Sequence, residues 1–145
     1  MLISHRHLIG LILLVAACMP AVAAKSFTGP VEAKVLRVID GDTFVAEAQI
    51  WPGHSIRTSV RIRGIDAPEM HSRCEAEKKA ARRSRAVLAR LIGDGPVTIS
   101  AIGGAKYYGR VLADVADARG RPVAAHMLGL GMARPYEGGK REAFC

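Results

Sequence analysis

The chain has 145 residues, half of them hydrophobic, which is material for one domain around one core and too little for two. Its formal charge of +8 points to a polyanionic partner, nucleic acid first and an anionic membrane or cell-wall surface second, and decides nothing further by itself.

Met1 to His7 carries Arg6, Leu8 to Ala17 is apolar apart from Gly10, and Pro20 to Ala24 ends in small residues. This is the layout of an export signal over residues 1–24, with cleavage after Ala23 or Ala24 and a mature domain over residues 25–145. The apolar run is half of the roughly 20 residues a membrane-spanning helix needs, which argues against a permanent anchor of that kind. Val15-Ala16-Ala17-Cys18 is similar to a bacterial lipoprotein box, so lipid attachment at Cys18 is the competing route. Either route places the domain outside the cytoplasm, secreted or periplasmic in the first case and lipid-anchored in the second.

Val31 to Ile39 is β-branched and aliphatic, Asp40-Gly41 is a turn pair, and Thr43 to Ala48 again favours a strand, so a β-hairpin is expected. Ile50 to Ser55, with Trp51-Pro52-Gly53, reads as a loop. Arg57 to Arg63 then alternates, placing Val60 and Ile62 inward and Arg61 and Arg63 on the opposite face. Glu75 to Ile92 carries Ala76, Ala80, Ser84, Val87, Leu88 and Leu91 at helical spacing, acidic residues in its first turn, Arg90 in its last and Gly93 just beyond. Lys78, Lys79, Arg82, Arg83 and Arg85 form the outer face, a solvated stripe or a polyanion contact. Val97 to Ala101 and Arg110 to Ala116 are two further strands, and Val123 to Leu130 a short helix. Five strands with a helix after the third suggest a small barrel. Cys74 and Cys145 are an even pair in an exported chain. A disulfide between them would stabilise the fold by on the order of 4 kcal/mol and hold the carboxyl end.

Asp40-Gly41-Asp42-Thr43, Arg61, and Asp66-Ala67-Pro68-Glu69 bring carboxylates and an arginine from adjacent strand ends. Ca²⁺ selects oxygen ligands and arginine selects phosphate oxygens, and a phosphodiester needs both because negative charge develops on its oxygens as water attacks. Asp42, Asp66 and the Ala67 backbone carbonyl are the candidate metal ligands, with Asp40 adding negative field nearby. Arg61 and Arg110 are the candidate phosphate clamp, and Glu69 is placed to orient or deprotonate a water. Neither Arg61 nor Glu69 is expected to fill core volume. His54, His71 and His126 show no ligand spacing.

Val38-Ile39-Asp40-Gly41-Asp42-Thr43, Val60 through Glu69, Tyr108-Gly109-Arg110 and Gly129-Leu130-Gly131-Met132-Ala133 together resemble the thermonuclease (staphylococcal nuclease-like) family over residues 31–136. The resemblance implies an α+β, mainly β fold: a five-stranded OB-fold barrel with packed helices. It implies Ca²⁺-dependent hydrolysis of DNA and RNA to 3′-phosphate ends. Calcium ligands would be Asp42, Asp66 and the Ala67 carbonyl, and catalytic residues Arg61, Glu69 and Arg110. Tyr108 and Tyr136 would contact the nucleotide. The chain departs from the family in having Lys106-Tyr107 where Asp-Lys is frequent, and in ending at Cys145, before the final helix of longer members. A Cys74–Cys145 bridge would replace that helix's support. A monomer without a stable protein partner is expected. The competing reading is a noncatalytic OB-fold module binding single strands or an anionic surface.

Overall fold

The computed structural model describes residues 25–93, 95–107 and 109–145; the expected signal segment, with Cys18, and Tyr108 lie outside the described residues. In chain order the elements are β1 (Ser26–Phe27), β2 (Val31–Asp40), β3 (Thr43–Trp51), β4 (His54–Ile62), β5 (Ile65–Asp66), α1 (Glu75–Ile92), β6 (Val97–Gly104), β7 (Arg110–Ala116), α2 (Val123–Gly129) and β8 (Arg134–Pro135).

The segments flanking Gly41 form the expected hairpin, with Asp40 opposite Thr43. A second hairpin replaces the expected loop at 50–55: β3 runs on to Trp51, which faces His54 at the start of β4. Pro52 presets one central φ and Gly53 takes φ +74, so two residues suffice to reverse the chain. The weakly alternating ends of both strands are carried by this turn.

β2, β3 and β4 are antiparallel neighbours, β4 pairs in parallel with β7, and β7 pairs with β6, which returns to β2. That circuit closes a five-stranded barrel with two helices packed on it, an OB-fold arrangement in which closure removes the sheet edges. To serve two neighbours, β6 bends at a register shift between Ser100 and Gly103, where Ala101 takes φ +46. The Arg63 guanidinium donates to the carbonyls of Ala101 and Leu112 and pairs with Asp114, so acceptors at the bend are satisfied.

Alternate residues line the interior: Phe44 and Ala46 of β3, Val60 and Ile62 of β4, Val97 and Ile99 of β6, Ala113 and Val115 of β7. Burying one of the larger of these side chains is worth about 1.5–3 kcal/mol. Helix α1 spans the predicted residues and buries Ala81, Ser84, Leu88 and Ile92. The buried stripe therefore starts at Ala81, and Ala76, expected in it, is exposed. Cys74 is the N-cap and makes no side-chain cap bond, since its sulfur is joined to Cys145 as expected. Helix α2 buries Val123 and Met127 against α1 and β7.

The β2–β3 turn sits against α1, and this contact positions everything that follows. A Cβ on Gly41 would overlap Ser84 Oγ and lie 2.8 Å from the Ala67 Cβ. Ser84 Oγ in turn donates to the Met132 carbonyl at 2.7 Å, so one small cluster ties the first hairpin, α1 and the carboxyl-terminal segment together. Gly41→Ala should therefore cost about 1–3 kcal/mol by overpacking, read as a lower urea midpoint. Gly103→Ala, where a Cβ meets nothing within 4 Å, should leave the unfolding free energy within about 0.5 kcal/mol of the parent.

Asp117 closes the turn between β7 and α2. Its buried carboxylate accepts from the backbone N–H groups of Arg121 and Arg119, each at 2.9 Å, and from the Arg121 guanidinium at 2.8 Å. The Arg121 bonds above all hold its pKa down to about 2. A folded pKa below the unfolded value near 4 gives stability that is complete above pH 4 and lost as pH falls toward 2. Asp117→Asn should lower the melting temperature by several degrees at pH 7 and flatten its fall between pH 4 and 2, followed by circular dichroism.

Candidate active site

Register brings the sequence motifs to one end of the barrel. Thr43, which follows Asp42, lies opposite Arg61, and the Asp42 carbonyl accepts the Ile62 N–H at 2.8 Å. Four residues beyond Ile62 the chain reaches Asp66 in β5, which pairs with β8 so that Asp66 faces Arg134. Asp42 Oδ2 accepts the Ala67 N–H at 2.8 Å, bridging the two acidic motifs directly. Its Oδ1 accepts the Thr43 hydroxyl at 2.8 Å.

Asp42 and Asp66 are only 2% and 4% exposed, and two buried carboxylates this close require positive charge. Arg61 supplies it: Nη1 lies 2.5 Å from Asp42 Oδ1 and Nη2 3.1 Å from Asp66 Oδ1. Burial works against the Arg61 charge, but the Asp42 and Asp66 carboxylates outweigh it and raise the guanidinium pKa above its ordinary value. Asp40 accepts the Asp42 N–H at 3.2 Å, and burial followed by the Asp42 charge pushes its pKa up to about 6.

A second guanidinium, from Arg141, was not anticipated from sequence. Its Nε lies 2.8 Å from Asp66 Oδ2, its Nη2 donates to the Ala67 carbonyl at 2.8 Å, and its Nη1 pairs with Glu69. The carboxyl-terminal segment is fixed around it: Arg134 stacks 4.0 Å from the Phe144 ring centroid and donates to the Ala143 carbonyl at 3.0 Å, and Cys145 is bonded to Cys74. The available signal was the cysteine pair, because Cys74 follows Glu69 by five residues and Cys145 follows Arg141 by four.

Asp40, Asp42, Arg61, Asp66, Ala67 and Glu69 are brought together. Tyr136 joins them, its ring centroid 5.9 Å from the Arg61 guanidinium carbon and its hydroxyl bonded to the Gly139 carbonyl. It borders an open cleft with Asp66, Arg134 and Lys140. Arg110 begins β7 opposite Ser59, two residues before the Leu112 that faces Arg61, which puts it on the outer face that carries Arg61. Its guanidinium lies 5.5 Å from the Tyr107 ring centroid rather than on the carboxylates. His54 and His126 bond to nearby proline carbonyls.

Among the described residues no three His, Cys, Asp or Glu side chains form a ready-made metal cluster. The oxygens present, two buried carboxylates with a main-chain carbonyl beside a third carboxylate, are of the donor type a hard cation selects, and the Arg141 guanidinium stands among them.

Glu69 is more than half exposed, consistent with its expected dispensability for folding, whereas Arg61 neutralises two buried acids and is not dispensable in that sense. Arg61→Gln should lower unfolding stability by about 3 kcal/mol in chelator. Glu69→Gln should change it by less than about 1 kcal/mol, both read from urea unfolding curves.

The family described as staphylococcal nuclease homologue matches residues 59–143, more than half of the chain. The match takes in Arg61, Asp66, Ala67, Glu69, Arg110, Tyr136 and Arg141, and begins after Asp40 and Asp42. No curated protein matches closely enough to count as a relative. The barrel circuit, the bridging of Asp42 to the Asp66-Ala67-Pro68-Glu69 segment and the extent of the match lead to one assignment: the chain belongs to the staphylococcal nuclease homologue family.

Proposed function

We propose that the protein is a Ca²⁺-dependent, sugar-nonspecific nuclease that hydrolyses phosphodiester bonds of DNA and RNA and leaves 3′-phosphate ends, working outside the cytoplasm as a secreted, periplasmic or Cys18-anchored protein. The observation that carries this reading is the convergence of buried Asp42 and Asp66 on Arg61, beside the Ala67 carbonyl and Glu69. Asp42, Asp66 and the Ala67 carbonyl would hold the ion, and when bound it supplies a Lewis acid that neutralises charge on a phosphate oxygen.

The rest is the work of the chain's own groups. Arg61 keeps its guanidinium at the carboxylates, where its outer N–H groups can donate to a phosphate in a forked pair that shortens as charge builds. Arg110, on the same barrel face, is the second clamp, and reaches the phosphate by leaving the Tyr107 ring. Glu69 sits on the solvent side, so its carboxylate can take the proton of an attacking water. Tyr136 offers an aromatic face beside Arg61 for a sugar or base, and Tyr108, next to Gly109-Arg110, is assigned the same kind of contact.

One observation favours the noncatalytic alternative. Asp42, Arg61, Asp66, Arg141 and Glu69 already satisfy one another in a closed network, as a purely structural cluster would.

Purified protein with Ca²⁺ should degrade plasmid DNA and ribosomal RNA, chelator should stop it, and Glu69→Gln should lower the rate by about 10²–10⁴-fold with nucleic-acid affinity retained. Retention of DNA at saturating Ca²⁺ without any cleavage would establish the binding-module reading instead.

A further inference from the structure

Arg141 contacts the oxygens assigned to the ion and the general base: Asp66 Oδ2, the Ala67 carbonyl and the Glu69 carboxylate. A guanidinium in that place and a cation bound by Asp66 and the Ala67 carbonyl exclude each other, because both need the same lone pairs and carry like charge. The contact is also selective for arginine. Three of its nitrogens are used at once, each on a different acceptor, which a lysine ammonium on its single centre does not reproduce.

The segment carrying it has a short leash. Cys145 is bonded to Cys74, and four residues of extended chain reach only about 14 Å. Phe144 is stacked on Arg134, whose strand neighbour is Asp66. Arg141 is therefore held at high effective concentration beside the carboxylates. At the same time its side chain is 33% exposed, so solvent and dissolved ions have access to the contact.

We propose that the disulfide-tied carboxyl-terminal strap is an autoinhibitory device, in which Arg141 acts as a built-in competitor of the divalent cation at Asp66, Ala67 and Glu69. This rests on the reading of those oxygens as a cation site. The strap keeps Asp66 and Glu69 neutralised and Glu69 unavailable as a base until a cation displaces the guanidinium. The apparent affinity for the cation is then the intrinsic one reduced by the fraction of molecules with the strap open.

The test is calorimetric titration of the purified protein with CaCl₂, comparing parent, Arg141→Gln, Arg141→Lys and Lys140→Gln. Arg141→Gln should bind Ca²⁺ about tenfold more tightly, the value for a strap closed nine-tenths of the time. Arg141→Lys should fall between it and the parent. Lys140→Gln removes the same charge one residue away and should change affinity less than about twofold. Cys145→Ser, which unties the strap, should tighten binding in the same direction as Arg141→Gln. In nuclear magnetic resonance, the Arg141 Nε–H signal should move to the position of a free arginine as CaCl₂ is added. Equal or weaker binding by Arg141→Gln, or equal tightening by Lys140→Gln, would overturn the competition while leaving the cation site standing. An unmoved Arg141 signal at saturating Ca²⁺ would do the same. Absence of Ca²⁺ binding in parent and Arg141→Gln alike would remove the cation site, and the competitor with it.

Discussion

Two carboxylates placed out of water at the end of a barrel set the terms for the rest of this molecule. Asp42 and Asp66 are almost fully buried, and polar groups taken out of water need hydrogen-bonding or charged partners beside them. The fold supplies the pair through tight backbone geometry: Gly41 lets the first hairpin press on Ser84, and the Ala67 N–H reaches Asp42 across 25 residues of sequence. The same geometry half-buries Asp40 beside Asp42, and burial first, then the Asp42 charge, raises the Asp40 pKa to about 6.

The need for such partners connects structure to function. Arg61 reaches both acids from the barrel wall, and Arg141 reaches Asp66 from the opposite side on a segment that the disulfide retains. In the proposed function a divalent cation and the Arg141 guanidinium compete for the same oxygens, and the two arginines differ in how they are held. Arg61 is rooted in β4 and is the fixed charge. Arg141 belongs to a more exposed carboxyl-terminal segment, and in the proposal it is the charge a cation replaces. If the proposed function holds, one set of oxygens serves both a metal-free fold and a cation-loaded state, and the strap sets how much cation is needed to pass between them.

Much of this was legible in the amino-acid sequence where local chemistry is strong. Helix α1 has the predicted limits because its apolar spacing, acidic first turn and Gly93 all agree, and the barrel strands follow period-two alternation with its turn residues. The acidic motifs and Arg61 were legible as a set because few structural needs call for all of them. The extension of β3 and β4 to a Pro52-Gly53 turn was not, since Ile50 to Ser55 lacks alternation and the pairing comes from the partner strand. The two-residue strands β1, β5 and β8 carry no period at all. Arg141 was invisible for the same reason: it lies among Gly138, Gly139 and Lys140 in a segment without periodicity, and only tertiary closure by the Cys74–Cys145 bond carries it to Glu69. The burial of Arg61 was missed because alternation tells which face a residue takes, not what later chain packs upon it.

A crystal structure of the protein grown with saturating CaCl₂ and a short oligodeoxynucleotide tests the central claim most directly. The account predicts one cation held by Asp42, Asp66 and the Ala67 carbonyl, a phosphate on Arg61, and Arg141 displaced from Asp66. Arg141 still seated on Asp66 and Glu69, with no cation between the two buried acids, would contradict it.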